Sequence, residues 1–226
     1  MVNVIKQYVE VVGPIDSGDT ILKKLERVGR TCYRSEEKIT PESSIGFIQK
    51  ILKMRHLSII EHYSISLRLV TNKAITHQLV RHRISSYAQE SQRFVDYNKK
   101  GMTFILPVDY YMFETFIRTG VTTKAEPSSL FRWLNNIARS EDDYKAMRED
   151  GSSPQLARSV LSNSVKTEIV VTMNLRSWIH FLEERCGGGA DPQIIDLAKQ
   201  CLVLLNTRVP VIFEELHDKY IEKKEV

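Results

Sequence analysis

The sequence predicts an α+β fold, with an antiparallel or mixed sheet flanked by helices in a single domain over residues 1–226. Two segments alternate apolar and polar side chains with the period of a half-buried strand. Several longer stretches repeat apolar residues at helical spacing. The strand segments are separated by unequal runs of helix rather than by a regular βαβ rhythm, which favours α+β over α/β. A chain of this length buries a core without disulfide or metal staples.

Taken in order, Val4–Val12 reads as a strand closed by Gly13-Pro14. Asp19 to about Gly29 reads as a helix with Ile21, Leu22, Leu25 and Val28 on one side. Thr40 offers an N-cap with Pro41 in the first helical position, and Ile45, Ile48, Ile51 and Leu52 continue the helix. Glu61–Val70 is a strand in which Tyr63, Ile65, Leu67 and Leu69 alternate with Ser64, Ser66 and Arg68. Thr71 is placed to cap a short helix from Asn72 to about His82, and a less regular stretch follows to Asn98. Thr103–Leu106 is a weak strand, and Pro107–Arg148 is mainly helical up to Gly151. Ser153-Pro154 opens a helix through Leu161, and Val165–Leu175 is the second clear strand. Ser177–Cys186 is a helix stopped by Gly187-Gly188-Gly189. Asp191-Pro192 starts a long helix with a stripe of Ile195, Ala198, Leu202 and Leu205.

Composition narrows the functional classes. The formal charge of +4 is too small to imply nucleic-acid binding by itself, so neither nucleic acid nor membrane is expected as a partner. The charge is concentrated, however: seven cationic side chains lie between Arg68 and Lys100 against Glu90 and Asp96 alone. Cys32, Cys186 and Cys201 lack paired spacing and fit a reducing compartment, and no apolar run is long enough to span a bilayer. A cytoplasmic location is expected. His56, His62, His77 and His82 lack metal-motif spacing, and no metal is expected.

Polar groups on faces that ought to be apolar mark candidate sites. On the helix expected over Asn72–His82, Gln78 and His82 fall beside Ile75 and Leu79, with Arg81 at the edge. Arg81-His82-Arg83 is also what a helix C-terminus favours, where cations meet free carbonyls. The following Ser85, Ser86, Tyr87, Gln89, Glu90, Ser91, Gln92 and Arg93 suit either an anion cradle or a solvated loop. Arg185 falls within the apolar face formed by Trp178, Phe181 and Leu182. Its stem either snorkels outward or delivers a guanidinium into a pocket.

Arg81-His82-Arg83, seven residues and then Ser91, with Arg93 two further on, resembles the signature of flavin-dependent thymidylate synthases. Arg30-Thr31-Cys32-Tyr33, the run from His56 to Glu61-His62, Arg158, Asn174-Leu175-Arg176 and Arg185 recur in that family's order. The resemblance covers about residues 20–98 and 153–210 and leaves 99–152 without a counterpart. It implies reductive methylation of dUMP to dTMP, with methylene-tetrahydrofolate as one-carbon donor and NADPH reducing bound FAD, without a cysteine nucleophile. It further implies that Gln78, Arg81, Gln89, Glu90, Ser91, Arg93, Arg158 and Arg185 meet dUMP, Arg185 being catalytic. Ser58, Arg81, His82, Arg83, Gln89, Asn174, Arg176 and His180 would meet FAD. A homotetramer with active sites where subunits meet is implied as well. The assignment of Arg158 rests on the resemblance alone, because it lies opposite Leu156. The chain departs from the family at Ala88-Gln89, where Asn-Glu is usual, at Phe94, where Tyr is usual, and at Gly187-Gly188-Gly189. Two other readings follow from the residues: a flavin-binding homologue without synthase activity, suggested by the glycine run, and a basic nucleic-acid-binding module.

Overall fold

The computed structural model describes residues 2–120 and 126–222. Residues 121–125 of the expected helical stretch, and the last residues of the C-terminal tail, lie outside the described residues. In order, the elements are β1 (Asn3–Ile5), β2 (Tyr8–Val11), α1 (Gly18–Tyr33), α2 (Ser43–Lys53), β3 (Ser64–Asn72), α3 (Lys73–Leu79) and β4 (Ser86–Gln89). There follow α4 (Tyr97–Lys100), β5 (Thr103–Ile105), α5 (Glu114–Thr119), α6 (Ser128–Glu149), α7 (Pro154–Ala157), β6 (Lys166–Asn174), α8 (Leu175–Arg185), α9 (Pro192–Arg208) and α10 (Pro210–His217).

The fold is α+β, as expected. A four-stranded antiparallel sheet has the order β2-β3-β6-β4, and β1 and β5 form a separate parallel pair. The two strands with clear alternation are the long ones: in β6 Thr167, Ile169, Val171 and Met173 are buried and their neighbours are not. The register of the parallel pair sets Val4 beside Phe104. The chain divides into two compact units. One comprises Met1–Tyr8, Leu69–Arg81 and Ala88–Ile169, and the other Val9–Arg68, His82–Tyr87 and Val170–Val226. Both β3 and β6 begin in one unit and end in the other.

The first unit packs around Tyr97, Met102, Phe104, Ile137, Tyr144, Ala157 and Val165. Burying each of the larger of these side chains contributes roughly 1.5–3 kcal/mol. Polar side chains beside this core find partners within the unit: the Trp133 indole donates to Ser164 Oγ at 3.0 Å, and Ser140 Oγ donates to the Val160 carbonyl at 3.0 Å. The second unit packs α1, α2, α8, α9 and α10 through Leu25, Ile48, Trp178, Phe181, Leu202 and Phe213, all fully buried. Within it Glu26 is fully buried and takes two bonds from Arg30 and one from Ser43 Oγ at 2.8 Å, so the charge is paired on both carboxylate oxygens.

Several local expectations are corrected. The strand over Val4–Val12 is broken at Lys6-Gln7, because the chain changes sheets there; buried Gln7 accepts a 2.8 Å bond from the Thr71 hydroxyl. Thr71 is therefore a strand residue, and Asn72 caps α3 by accepting from Ile75 N. Helix α3 stops at Leu79 rather than near His82, its end tightened by a bond from Arg81 N to Gln78 O. Thr40-Pro41 form a turn ahead of α2 instead of its first residues, with Ser43 Oγ accepting from Thr40 N. The irregular stretch after His82 contains β4, whose pairing with β6 continues past its end as Glu90 N donates to Glu168 O at 2.8 Å. Helix α8 starts at Leu175, two residues early, because Asn174 caps it. The buried stripe of α9 runs through Ile194, Leu197, Ala198, Cys201, Leu202 and Leu205, so Ile195 lies off it.

Candidate functional site

Each unit carries its own group of the expected site residues. In the first unit are Gln78, Arg81, Gln89, Glu90, Ser91, Arg93 and Arg158. Gln78 is half-buried on α3, and Arg81 is exposed just beyond its end. Gln89, at the end of β4, is turned inward: its amide donates to the hydroxyls of Thr76 at 3.0 Å and Thr167 at 3.3 Å, both fully buried. Glu90 accepts from the Tyr97 hydroxyl at 2.8 Å and pairs with Lys166 at 3.4 Å. Burial first, and then the charge of Glu90, push the Tyr97 phenol well above the usual tyrosine range. Burial would lower Lys166, but its bond to Glu168 and the charge of Glu90 leave it raised. Ser91 Oγ accepts from Arg93 N, while Arg93 Nε donates to Gln155 Oε1 at 3.0 Å.

Arg158 is exposed on the short 3-10 turn after α7. It shares its surroundings with Lys73, which the sequence reading missed. Burial, and next the neighbouring charge of Arg158, lower the Lys73 ammonium, with Glu90 acting in the opposite sense. A signal for Lys73 was present in the sequence. A cation directly after a capping Asn opposes the helix macrodipole and so calls for a negative partner.

In the second unit are Ser58, His82, Arg83, Asn174, Arg176, His180 and Arg185. His82 is the hub. Its carbonyl accepts from the Tyr87 hydroxyl at 2.7 Å and from the Ser85 hydroxyl. Its ring lies edge-on to Phe181 at 5.1 Å and to His180 at 6.1 Å. Arg185 Nε donates to His82 Nε2 at 3.0 Å. Because an arginine always donates, this nitrogen is unprotonated and any ring proton sits on Nδ1. Burial first, then the charges of Arg185 and His180, push the His82 imidazole down to about 4, only partly opposed by Glu184. His82 is thus neutral near pH 7.

Arg185 is half-buried at the end of α8, following the fully buried Trp178, Phe181 and Leu182. Its head is held by His82 through that bond. Arg176 pairs with Glu61 at 2.6 Å. Asn174 caps α8 by accepting from Ser177 N at 2.8 Å, which uses its side-chain oxygen. Ser58, Arg83 and His180 are exposed. Of the four histidines considered for metal, His56 bonds the Tyr33 hydroxyl at 2.7 Å and His82 bonds Arg185.

The cysteines stand apart from these groups. Cys186 and Cys201 are buried, and burial pushes both thiols up, Cys186 to about 12. A thiol so raised is a poor nucleophile near neutral pH.

The family described as thymidylate synthase complementing protein matches residues 16–211, a span that includes the 99–152 segment left out by the motif resemblance. The chain is 32% identical over 207 residues to the flavin-dependent thymidylate synthase of Corynebacterium diphtheriae, covering 89% of this chain and 81% of that protein. It is 34% identical over 193 residues to the enzyme of the same name from Geobacter sulfurreducens, covering 82% and 78%. With Mycolicibacterium vanbaalenii it shares 34% over 196 residues, covering 84% and 78%. With the family matching residues 16–211 and relatives 32–34% identical over most of the chain, the chain belongs to the family of flavin-dependent thymidylate synthases.

Proposed function

We propose that this chain converts dUMP to dTMP, taking the one-carbon unit from methylene-tetrahydrofolate and the reducing electrons from NADPH through FAD. The observation that carries the mechanism is the Arg185 guanidinium, held by a neutral partner at the end of an apolar helix face. The reaction puts a methyl group on the pyrimidine carbon in place of a proton. Its methylene precursor is two electrons short of a methyl group, a pair that bound FAD would supply from NADPH.

The carbon must first become nucleophilic, which pushes negative charge onto the ring oxygens. Arg185 stabilises that charge, and does so more strongly in a site with little water. With Cys186 and Cys201 raised by burial, polarisation by arginine fits better than attack by a thiolate. Gln78, Arg81, Ser91, Arg93 and Arg158 hold the nucleotide, their arginines gripping phosphate through paired N–H donors. Gln89 and Glu90 support this group from inside, through Thr76, Thr167, Tyr97 and Lys166.

The donor set of the second unit fits the flavin. Arg83 and Arg176 are exposed cations suited to a diphosphate, and His180 and His82 offer rings beside them in sequence. Ser58 and Asn174 complete this group, and the family resemblance assigns Arg81 and Gln89 to the flavin as well. The protein orients and tunes the cofactor, while the flavin supplies the redox chemistry.

A homotetramer is part of the proposal, supported by exposed Ile84 within the motif and Phe94 just after it, 77% and 81% accessible. A cytoplasmic location is supported by three unpaired cysteines. Among the described residues no helix is long and apolar enough to cross a membrane. The test is direct: purified protein is expected to bind FAD and to form dTMP from dUMP, NADPH and methylene-tetrahydrofolate. Protein that takes up no flavin overturns the proposal. Protein that binds flavin and oxidises NADPH without forming dTMP favours the inactive homologue. Light scattering is expected to give a mass of four chains, and a monomeric mass overturns that part.

A further inference from the structure

We propose that His82 is the positioning residue for Arg185, an acceptor that aims the guanidinium without neutralising it. The inference deepens the reading of Arg185 as the charge-stabilising group and rests on it.

The geometry forms a continuous support running outward from the core. The Trp178 indole is fully buried and donates to the Ile65 carbonyl at 3.1 Å. Phe181, also fully buried, meets Trp178 edge-on at 5.7 Å, and the His82 ring meets Phe181 edge-on at 5.1 Å. The backbone beneath His82 is fixed separately, since its carbonyl accepts from both Ser85 and Tyr87. A ring fixed from two sides then takes a single bond, from Arg185 Nε at 3.0 Å. Using Nε fixes the plane of the guanidinium, and the two terminal nitrogens have no partner among the described residues.

The choice of acceptor matters chemically. A carboxylate in this place would orient Arg185 equally well but would cancel much of its charge. It would thereby weaken the attraction to an electron-rich pyrimidine. Imidazole gives direction and leaves the positive charge intact. Of the groups facing the ring, Arg185 and His180 add to burial in keeping it unprotonated, while Glu184 acts in the opposite sense without overcoming them. A protonated ring would have no lone pair for Nε and would repel the guanidinium.

The test compares His82→Phe, His82→Gln and Arg185→Ala as flavin-loaded enzymes. Phe keeps the ring packed on Phe181 and removes the acceptor; the Gln side-chain oxygen restores it. For His82→Phe we expect the kcat of dTMP formation to fall about a hundredfold, as on losing one aligned donor, with the KM for dUMP little changed. His82→Gln should recover most of the loss, which mere packing would not explain. Wild-type kcat in His82→Phe, or no recovery in His82→Gln, overturns the inference. If Arg185→Ala turns over normally, the reading of Arg185 itself fails and the inference falls with it. If Arg185→Ala is inactive while His82→Phe is active, only the inference fails. Should His82→Phe lose its flavin, nitrogen NMR of histidine-labelled wild-type protein decides. A His82 ring protonated on Nδ1, with Nε2 shifting in Arg185→Ala, supports the inference, and a ring protonated on Nε2 overturns it.

Discussion

Two neighbouring side chains with adjacent numbers behave very differently. Arg81 is exposed beyond the end of α3, whereas His82 is anchored through its carbonyl and its ring. The exposure of Arg81 suits the ligand-binding role proposed for it, and Arg81→Ala is expected to weaken both dUMP and FAD binding. Retained dUMP affinity in a titration would count against its assignment. For His82 the prediction concerns pH. Its imidazole sits near 4 in the folded chain against 6.5 unperturbed. Between those values the unfolded state binds a proton that the folded state refuses, so this residue's contribution to stability is present above about 6.5 and is lost as pH falls toward 4. Denaturant unfolding at the two ends of that window should show a smaller loss in His82→Gln than in wild type. Equal losses would show that His82 does not carry the effect. Most of the residues involved were legible in the sequence: Arg185 stood out as a charge in an apolar stripe, and the spacing from Arg81 to Ser91 drew attention to the motif. Their partners were not. Nothing in the local spacing says that the Gln89 amide turns toward Thr76 and Thr167, or that Glu90 is held by Tyr97 and Lys166. Those bonds join residues up to 78 positions apart, which only the sheet brings together.

Elements were read well where one face is buried and poorly where side chains compete to end a segment. The alternation holds through all of β6 and over Ser64–Leu69 of β3, before Val70 and Thr71 are buried as well, because a one-residue slip would turn the apolar side chains outward. The ends of α3 and α8 shifted because Asn72 and Asn174, rather than their neighbours, supply the capping oxygens. Strand β4 was missed because its four residues, Ser86 to Gln89, carry little apolar signal and owe their conformation to pairing with β6. Helix α1 shows a different constraint. At Gly29 an added methyl group would lie 2.5 Å from the Phe47 ring and 3.1 Å from Ile59. The Arg30 guanidinium covers the Phe47 ring at 4.5 Å, which limits how far that ring can withdraw. Gly29→Ala is therefore expected to cost about 1–3 kcal/mol by overpacking, despite alanine's better helix propensity. Unchanged or increased stability in urea would show that the ring moves freely.

At the scale of the whole molecule, two compact units share two long strands. We propose that the chain nevertheless unfolds as one domain, since neither unit can lose its part of β3 or β6 without fraying the strand that continues into the other. Calorimetry is expected to show a single transition, and two separable transitions would assign the units independent stability. The sequence gives no boundary between the units, because each is assembled from three separate stretches and no linker marks the change.

Of the three thiols, two lie in the interior and Cys32 alone is exposed, near the end of α1. The native chain therefore carries a ready-made attachment point. A maleimide dye should couple once per folded chain without any engineered residue, and then twice more on denaturation. The rate at which the last two sites become reactive would follow the opening of the second unit's core in real time.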